Sequence, residues 1–449
     1  MTQRDFLYKL RRGLGSAIVE LQMNPDREKY RDIVLRCCLK NISYDVQCEG
    51  TKGYYLYTAI CTLGAKDEFE DVMICAFMKR LEYNFFQQVT DILYLYAGEG
   101  GEKARNALYT KRQQLAKQLA KQKVFPHKFC EREQYEYLMI CEINAFGWAA
   151  FKKCIVDAGR ILMNRNDDAC SGYDWFMSHC EDIFGKERIA HFLKIASERS
   201  DEVKAFVAAT NELEKVREEN MRLRIEPIVT LESYITRAQE LGQDKYAYMR
   251  MTIAAKRFSR QASPNDMLGL ISRIADEQSD EVRANLLRVF KDVDFPADID
   301  VLIPYAQSKC EQLQKSTIDA LGRLKVRRVH DLAIQLIQAG SFEAGLHLLI
   351  VNWHRQDEAL IRERILSSKK VSHSMQQSIR DIYLKHRSKS CGDILEHVYQ
   401  NAECAFCRSC IVETMWKNRV LRTAILNECM YDSYYETRKI AEKIKKNKE

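Results

Sequence analysis

Lys194–Ala205 reads KIASERSDEVKA, and Arg273–Ala284 reads RIADEQSDEVRA. Eight of the twelve positions are identical, two of the others exchange Lys for Arg, and 79 residues separate the copies. That distance is too long for one element sliding along itself, so the repeat marks a corner that the chain builds twice. In the second copy Met267, Leu268, Leu270, Ile271 and Ile274 recur at helical spacing and stop at Asp276-Glu277-Gln278. Ser279 then suits an N-cap, because its hydroxyl can accept a bond from a free backbone N–H of the first turn. Asp280 and Glu281 sit at the positive end of the helix dipole. Val282, Leu286, Val289 and Phe290 form the apolar stripe of the next helix, widened by Leu287. The stretch predicts an αα-hairpin, which cannot bury both of its apolar faces without neighbours.

Those neighbours can be read downstream. A shift of 31 takes Ile271 to Leu302, Val282 to Leu313, Val289 to Ala320 and Phe290 to Leu321. A further shift of 29 takes Leu313 to Phe342 and Leu321 to Ile350. Here the chain resembles the HEAT-repeat family, in particular its short bacterial form. The resemblance is carried by the Ser-Asp-Glu-Val-Lys/Arg-Ala turns at 200–205 and 279–284, by a degenerate Tyr435–Ala441 turn, and by Pro304 inside a first helix. It covers roughly 185–350 and extends toward 445. What it implies is a fold and a habit of binding macromolecules, not an activity. The expected class is all-α: an α-solenoid of stacked antiparallel helix pairs forming a curved superhelix.

Composition agrees with that class. A chain of 449 residues with only 6 Pro and 18 Gly lacks the punctuation of compact α/β or all-β folds. No charged leader and apolar core open it, and no run of 18 apolar residues occurs, so neither secretion nor a membrane span is expected. Sixteen cysteines in such a chain read as reduced thiols of a cytoplasmic protein, most of them small core residues within helices.

Taken in order, residues 4–22 read as one basic helix, 27–63 as two helices, and 68–96 as an aromatic-rich pair ended by Gly98-Glu99-Gly100-Gly101. Helices follow at 102–124, 131–146 and 147–163. An acidic loop with Asp167, Asp168 and Asp174 then leads to a helix pair ending at 207. The charged stretch 211–226 reads as a connecting helix between an N-terminal array, 1–210, and a C-terminal array, 227–449.

The segment from Glu102 to Lys128 holds eight basic residues and one acid, a surplus equal to the net charge of +7 of the whole chain. Ala104, Leu108, Leu115 and Leu119 give its helix a narrow apolar stripe, with Lys103, Lys117 and Lys121 opposite. Lys103, Arg105, Lys111, Arg112, Lys117, Lys121 and Lys123 are therefore candidate contacts for an acidic partner or for phosphates. Arg323, Lys325, Arg327 and Arg328 form a second basic patch, and Lys369, Lys370, Arg380, Lys385 and Arg387 a third.

Other constellations are weaker. Cys404, Cys407 and Cys410 have a cluster-like spacing, but on a helix they cover one arc and read as packing. Gly98–Lys103 imitates a phosphate cradle without the strand or the Gly-Lys-Ser/Thr of a P-loop. Trp353, His354, Arg355 and Asp357 could rim a pocket, as in HEAT-like base-excision enzymes. No catalytic residue, metal or cofactor is assigned. The expected function is that of a non-enzymatic cytoplasmic scaffold holding a protein on its concave surface. Nucleic-acid binding through the basic patches is the alternative.

Overall fold

Both corners form as the repeat requires. The computed structural model describes residues 1–79, 81–121, 130–163, 173–223, 229–241, 247–368 and 370–447. In one corner a helix ends at Ser197 and the next begins at Asp201; in the other the corresponding residues are Asp276 and Asp280. Ser200 and Ser279 each accept a backbone N–H at 3.3 Å, from Val203 and Val282 respectively. Val203 and Val282 turn inward and are buried. Identical capping chemistry thus starts two helices 79 residues apart.

The protein is all-α. Among the described residues no sheet forms, and Val371 and Ala402 share one isolated bridge. The chain divides into two compact units, the first comprising Met1–Ile225, Cys404–Phe406 and Thr423–Glu449, the second Glu226–Glu403 and Cys407–Arg422. Residues 423–449 thus group with the beginning of the chain, whereas the sequence reading places them in the C-terminal array.

The first unit opens with α1 (Gln3–Arg12), α2 (Gly15–Met23), α3 (Arg31–Cys38), α4 (Val46–Glu49), α5 (Gly53–Leu63) and α6 (Lys66–Met78). It continues with α7 (Tyr83–Gly98), α8 (Glu102–Lys121), α9 (Cys130–Met163), α10 (Tyr173–Phe184), α11 (Lys186–Ser197) and α12 (Asp201–Leu223). The single helix expected over 4–22 is two, because Gly13 takes φ 73° and closes α1 in a left-handed cap. The break expected between 146 and 147 is a kink inside α9, where Gly147 adopts φ 62°, ψ −141°. Side chains rarely tolerate that conformation.

The second unit contains α13 (Leu231–Leu241), α14 (Ala247–Gln261), α15 (Pro264–Asp276), α16 (Asp280–Leu287), α17 (Glu311–Leu321) and α18 (Arg327–Gln338). Then come α19 (Phe342–Asn352), α20 (Glu358–Ser367), α21 (His373–Lys385), α22 (Gly392–Asn401) and α23 (Ala405–Lys417). The chain closes with α24 (Thr423–Cys429) and α25 (Tyr435–Lys446). Before α17, where a first helix is expected, the backbone makes short 3₁₀ turns at Ile299–Val301 and Ile303–Gln307. Pro304 lacks the N–H an α-helix would need there.

Helices α16, α17, α19 and α21 begin at 280, 311, 342 and 373, an interval of 31 each time, and each packs on the next. The second shift is therefore 31 rather than the 29 read from the sequence; Phe342 and Ile350, which the shorter shift takes as interior, are only half-buried. A ladder of side-chain bonds joins the C-terminal ends of successive members. Arg323 donates to the Lys291 carbonyl at 3.4 Å, Asn352 to Leu324 at 2.8 Å, His386 to Ile350 at 3.0 Å and Asn418 to Tyr383 at 2.9 Å. Asn352 and Asn418 also accept the N–H of Val326 and of Ser388. Asn352→Ala would remove the partner of the Leu324 carbonyl and of the Val326 N–H, both only partly shielded from water, and should cost about 1–2 kcal/mol. Urea unfolding with an unchanged midpoint would show that this rung contributes nothing.

Candidate functional site

The basic helix α8 is the site the sequence points to most strongly, and its cations divide into two sets. Ala104, Leu108, Leu115 and Leu119 are buried, and Lys103, Arg105, Lys117 and Lys121 are exposed. Lys111 and Arg112, however, face inward. Lys111 donates to the carbonyls of Met78 and Lys79, at 3.3 and 3.0 Å, and so closes the C-terminal end of α6. Arg112 is 1% exposed and lies 2.6 Å from both Glu142 and Asp157 of α9. Burial works against its charge, but Glu142 and Asp157 more than compensate and hold the guanidinium protonated. Neither cation is presented to phosphate, which corrects their place among the candidate contacts. Lys123 lies outside the described residues.

The exposed set is partly neutralised. Lys103 pairs with Asp71 at 2.9 Å, and Arg105 donates to the Ala97 carbonyl at 3.3 Å. Lys117 and Lys121 form no ion pair among the described residues. In the second basic patch Arg323 pairs with Asp294 at 3.1 Å and Arg328 pairs with Asp300, while the exposed Lys325 and Arg327 form no ion pair among the described residues. Of the third patch, Arg380 pairs with Asp381, while Lys369 lies outside the described residues.

Beside α8 lies a cavity of ≈ 260 Å³, walled by Tyr94, Leu108, Tyr109, Leu138 and Phe146, with Arg105 and Arg112 among its lining. Tyr109 and Phe146 are each 49% exposed at this cavity, and Phe146 directly precedes the α9 kink. The sequence gives the cations of this region. It does not give the socket, which needs α7, α8 and α9 side by side.

The weaker constellations resolve into structure. The N–H groups of Glu99, Gly100 and Gly101 are taken by carbonyls of α7, and Glu70 accepts the N–H of Ala104, so the start of α8 is already filled by a carboxylate. Asp357 is buried and accepts from His330 Nε2 and from the His354 N–H, at 3.1 and 2.7 Å, which makes it a cap for the chain entering α20. His330 and His354 stack with ring centroids 4.3 Å apart and planes 27° from parallel. One metal ion cannot lie in two such planes at once, so this trio suits packing better than ligation. Trp353 stacks on His386. Cys407 is buried in α23 with its sulfur 3.1 Å from His373 Nδ1. Burial pushes the Cys37 thiol up to about 11 and those of Cys180 and Cys391 up to about 12, which leaves them unreactive at neutral pH.

Comparison with known proteins adds no relationship. No family model matches the chain, and no curated protein resembles it at a significant level. Among solved structures, an engineered protein aligns over 100% of this chain and 99% of its own at 14% identity, with a TM-score of 0.19. A likeness that slight carries no argument. Among the described residues no helix is long and apolar enough to cross a membrane.

The division of α8 is open to direct test. Lys103, Lys117 and Lys121 changed together to Glu should leave cooperative unfolding intact, within about 1 kcal/mol, since exposed charges contribute little. Arg112→Ala should cost about 3–5 kcal/mol, because it removes the buried cation from Glu142 and leaves Asp157 only Arg160, at 3.5 Å. The opposite ranking in thermal melts would reverse the assignment of faces.

Proposed function

We propose that this protein is a HEAT-like α-solenoid acting as a non-enzymatic scaffold, with a protein partner held on the surface made by the second helices of its repeats. The observation that carries this reading is the 31-residue recurrence of α16, α17, α19 and α21, each joined to the next at its C-terminal end. Stacked repeats of this kind present an extended surface suited to another macromolecule. Along this face both signs occur: Lys291, in the turn after α16, approaches Asp319 at 3.9 Å, His347, whose charge burial disfavours, lies 3.6 Å from the same carboxylate, and Asp381 follows on α21. A mixed strip matches the polar rim of a protein interface, whereas phosphate binding needs cations of one sign. The inward turn of Lys111 and Arg112 favours the same choice, because it removes two of the charges on which nucleic-acid binding would rest. The socket beside α8, with its exposed aromatics, is of the kind that takes a partner's anchoring side chain. Unbridged cysteines are in keeping with a cytoplasmic location.

Asp319→Lys combined with Asp381→Lys should weaken capture of the protein partner about tenfold or more while leaving the melting curve unchanged. Hydrogen exchange on the captured complex should show protection along α16–α21. Fluorescence anisotropy with DNA and RNA at about 50 and 200 mM salt decides the alternative. Saturable binding that falls steeply with salt and disappears in Lys117→Glu/Lys121→Glu would replace a protein partner with a nucleic acid.

A further inference from the structure

In the first unit a second cavity, of ≈ 460 Å³, lies among α5, α7, α9 and α25. Its size falls within the range of roughly 300–1,000 Å³ typical of small-molecule sites. Two charged side chains of opposite sign line it, Asp91 from α7 and Arg438 from α25. Neither forms an ion pair, with the other or with any described residue. Among the described residues Asp91 accepts from two hydroxyls, those of Tyr137 at 2.6 Å and of Thr51, and from no backbone N–H, so none of them makes it a helix cap. Burial pushes its carboxyl up to about 6, a shift that the two hydroxyls oppose and no cation relieves. Arg438 lies over the Tyr54 ring at 4.6 Å and donates through Nη1 to the carbonyls of Asp432 and Ser433. Burial lowers its pKa, and Asp432 and Glu442 act on it only from beyond ion-pair distance.

Both side chains are half-buried, and charges partly withdrawn from water without an ion pair are costly for a fold unless something else neutralises them. A single molecule with a cation at one end and an anion at the other would neutralise both. Glu49, the other carboxylate of the lining, is already matched by Lys52 at 3.5 Å and by the N–H groups of Tyr44 and Ala405. The rest of the wall is rich in aromatic rings, those of Tyr54, Tyr94, Tyr434 and Tyr435, with Asn144 and Ser433 as neutral polar groups among them. We propose that this cavity binds a small zwitterion, an amino acid or short peptide with an aromatic side chain, placing its ammonium on Asp91 and its carboxylate on Arg438.

The test is isothermal titration of the full chain with L-phenylalanine and with glycyl-L-phenylalanine, which differ in the separation of their charges. Phenethylamine and hydrocinnamate serve as analogues that keep one charge each. At least one zwitterion should bind, and each one-charge analogue should bind about tenfold or more weakly, as expected when a buried charge is left without its partner. Asp91→Asn should abolish the preference over hydrocinnamate, and Arg438→Gln the preference over phenethylamine. The wild-type series is decisive even if either variant is poorly folded. Equal binding of zwitterion and analogue, or no heat from either zwitterion at millimolar concentration, overturns the proposal.

Discussion

A protein made only of helices must satisfy the backbone groups at every helix end, since each terminus leaves up to four without an intrahelical partner. Here buried polar side chains from other helices do much of that work. Gln88, fully buried, donates to the carbonyls of Cys37, Cys38 and Lys40 and accepts from Ile42. Lys52 reaches the carbonyls of Arg11 and Ile42. In the second unit the buried Asn352 and Asn418, with the more exposed Arg323 and His386, bond carbonyls at the ends of neighbouring helices. Apolar stripes bring helices together, but they are non-directional. The polar rungs fix which end meets which, so the register of the stack depends on them.

The parts of this arrangement that were legible in the sequence are the local ones. The two serine caps, the apolar stripe of α8 and the break at Gly147 follow from residue type and spacing within a few positions. The interval of 31 was legible for the first step. It failed at the second because α18 is only three residues from α19, and an apolar run such as Leu348–Val351 offers more than one helical register. The rungs were not legible at all. An isolated Asn or His near a helix end looks like any other C-terminal polar residue until the neighbouring helix is in place beside it.

Charge shows the same limit. Counting cations identifies α8 as unusual, and it is. Counting does not reveal that Arg112 is matched by Glu142 and Asp157, which lie 30 and 45 residues further along the chain on another helix. Nor does it single out Asp91 or Arg438, whose importance lies in having no such match. For a long basic segment, the informative quantity is the charge left after internal pairing. On α8 the cations with no ion pair or carbonyl partner among the described residues are Lys117 and Lys121, near its end.

Gly15 packs so closely on the Glu428 carbonyl that any side chain there would collide with it, and Gly13 accepts the N–H of Ser433 through its carbonyl. Helix α2 therefore rests against α24, more than four hundred residues later in synthesis. The first unit is discontinuous in sequence: the whole of the second lies between its first segment and its last. On a ribosome the second unit can finish folding while the first still lacks its last two helices, although the first began to emerge earlier. The earliest part of the chain would thus be among the last to mature. Until then the face of α2 awaiting α24 is uncovered, a surface that a chaperone could recognise and that a nascent chain must keep from sticking.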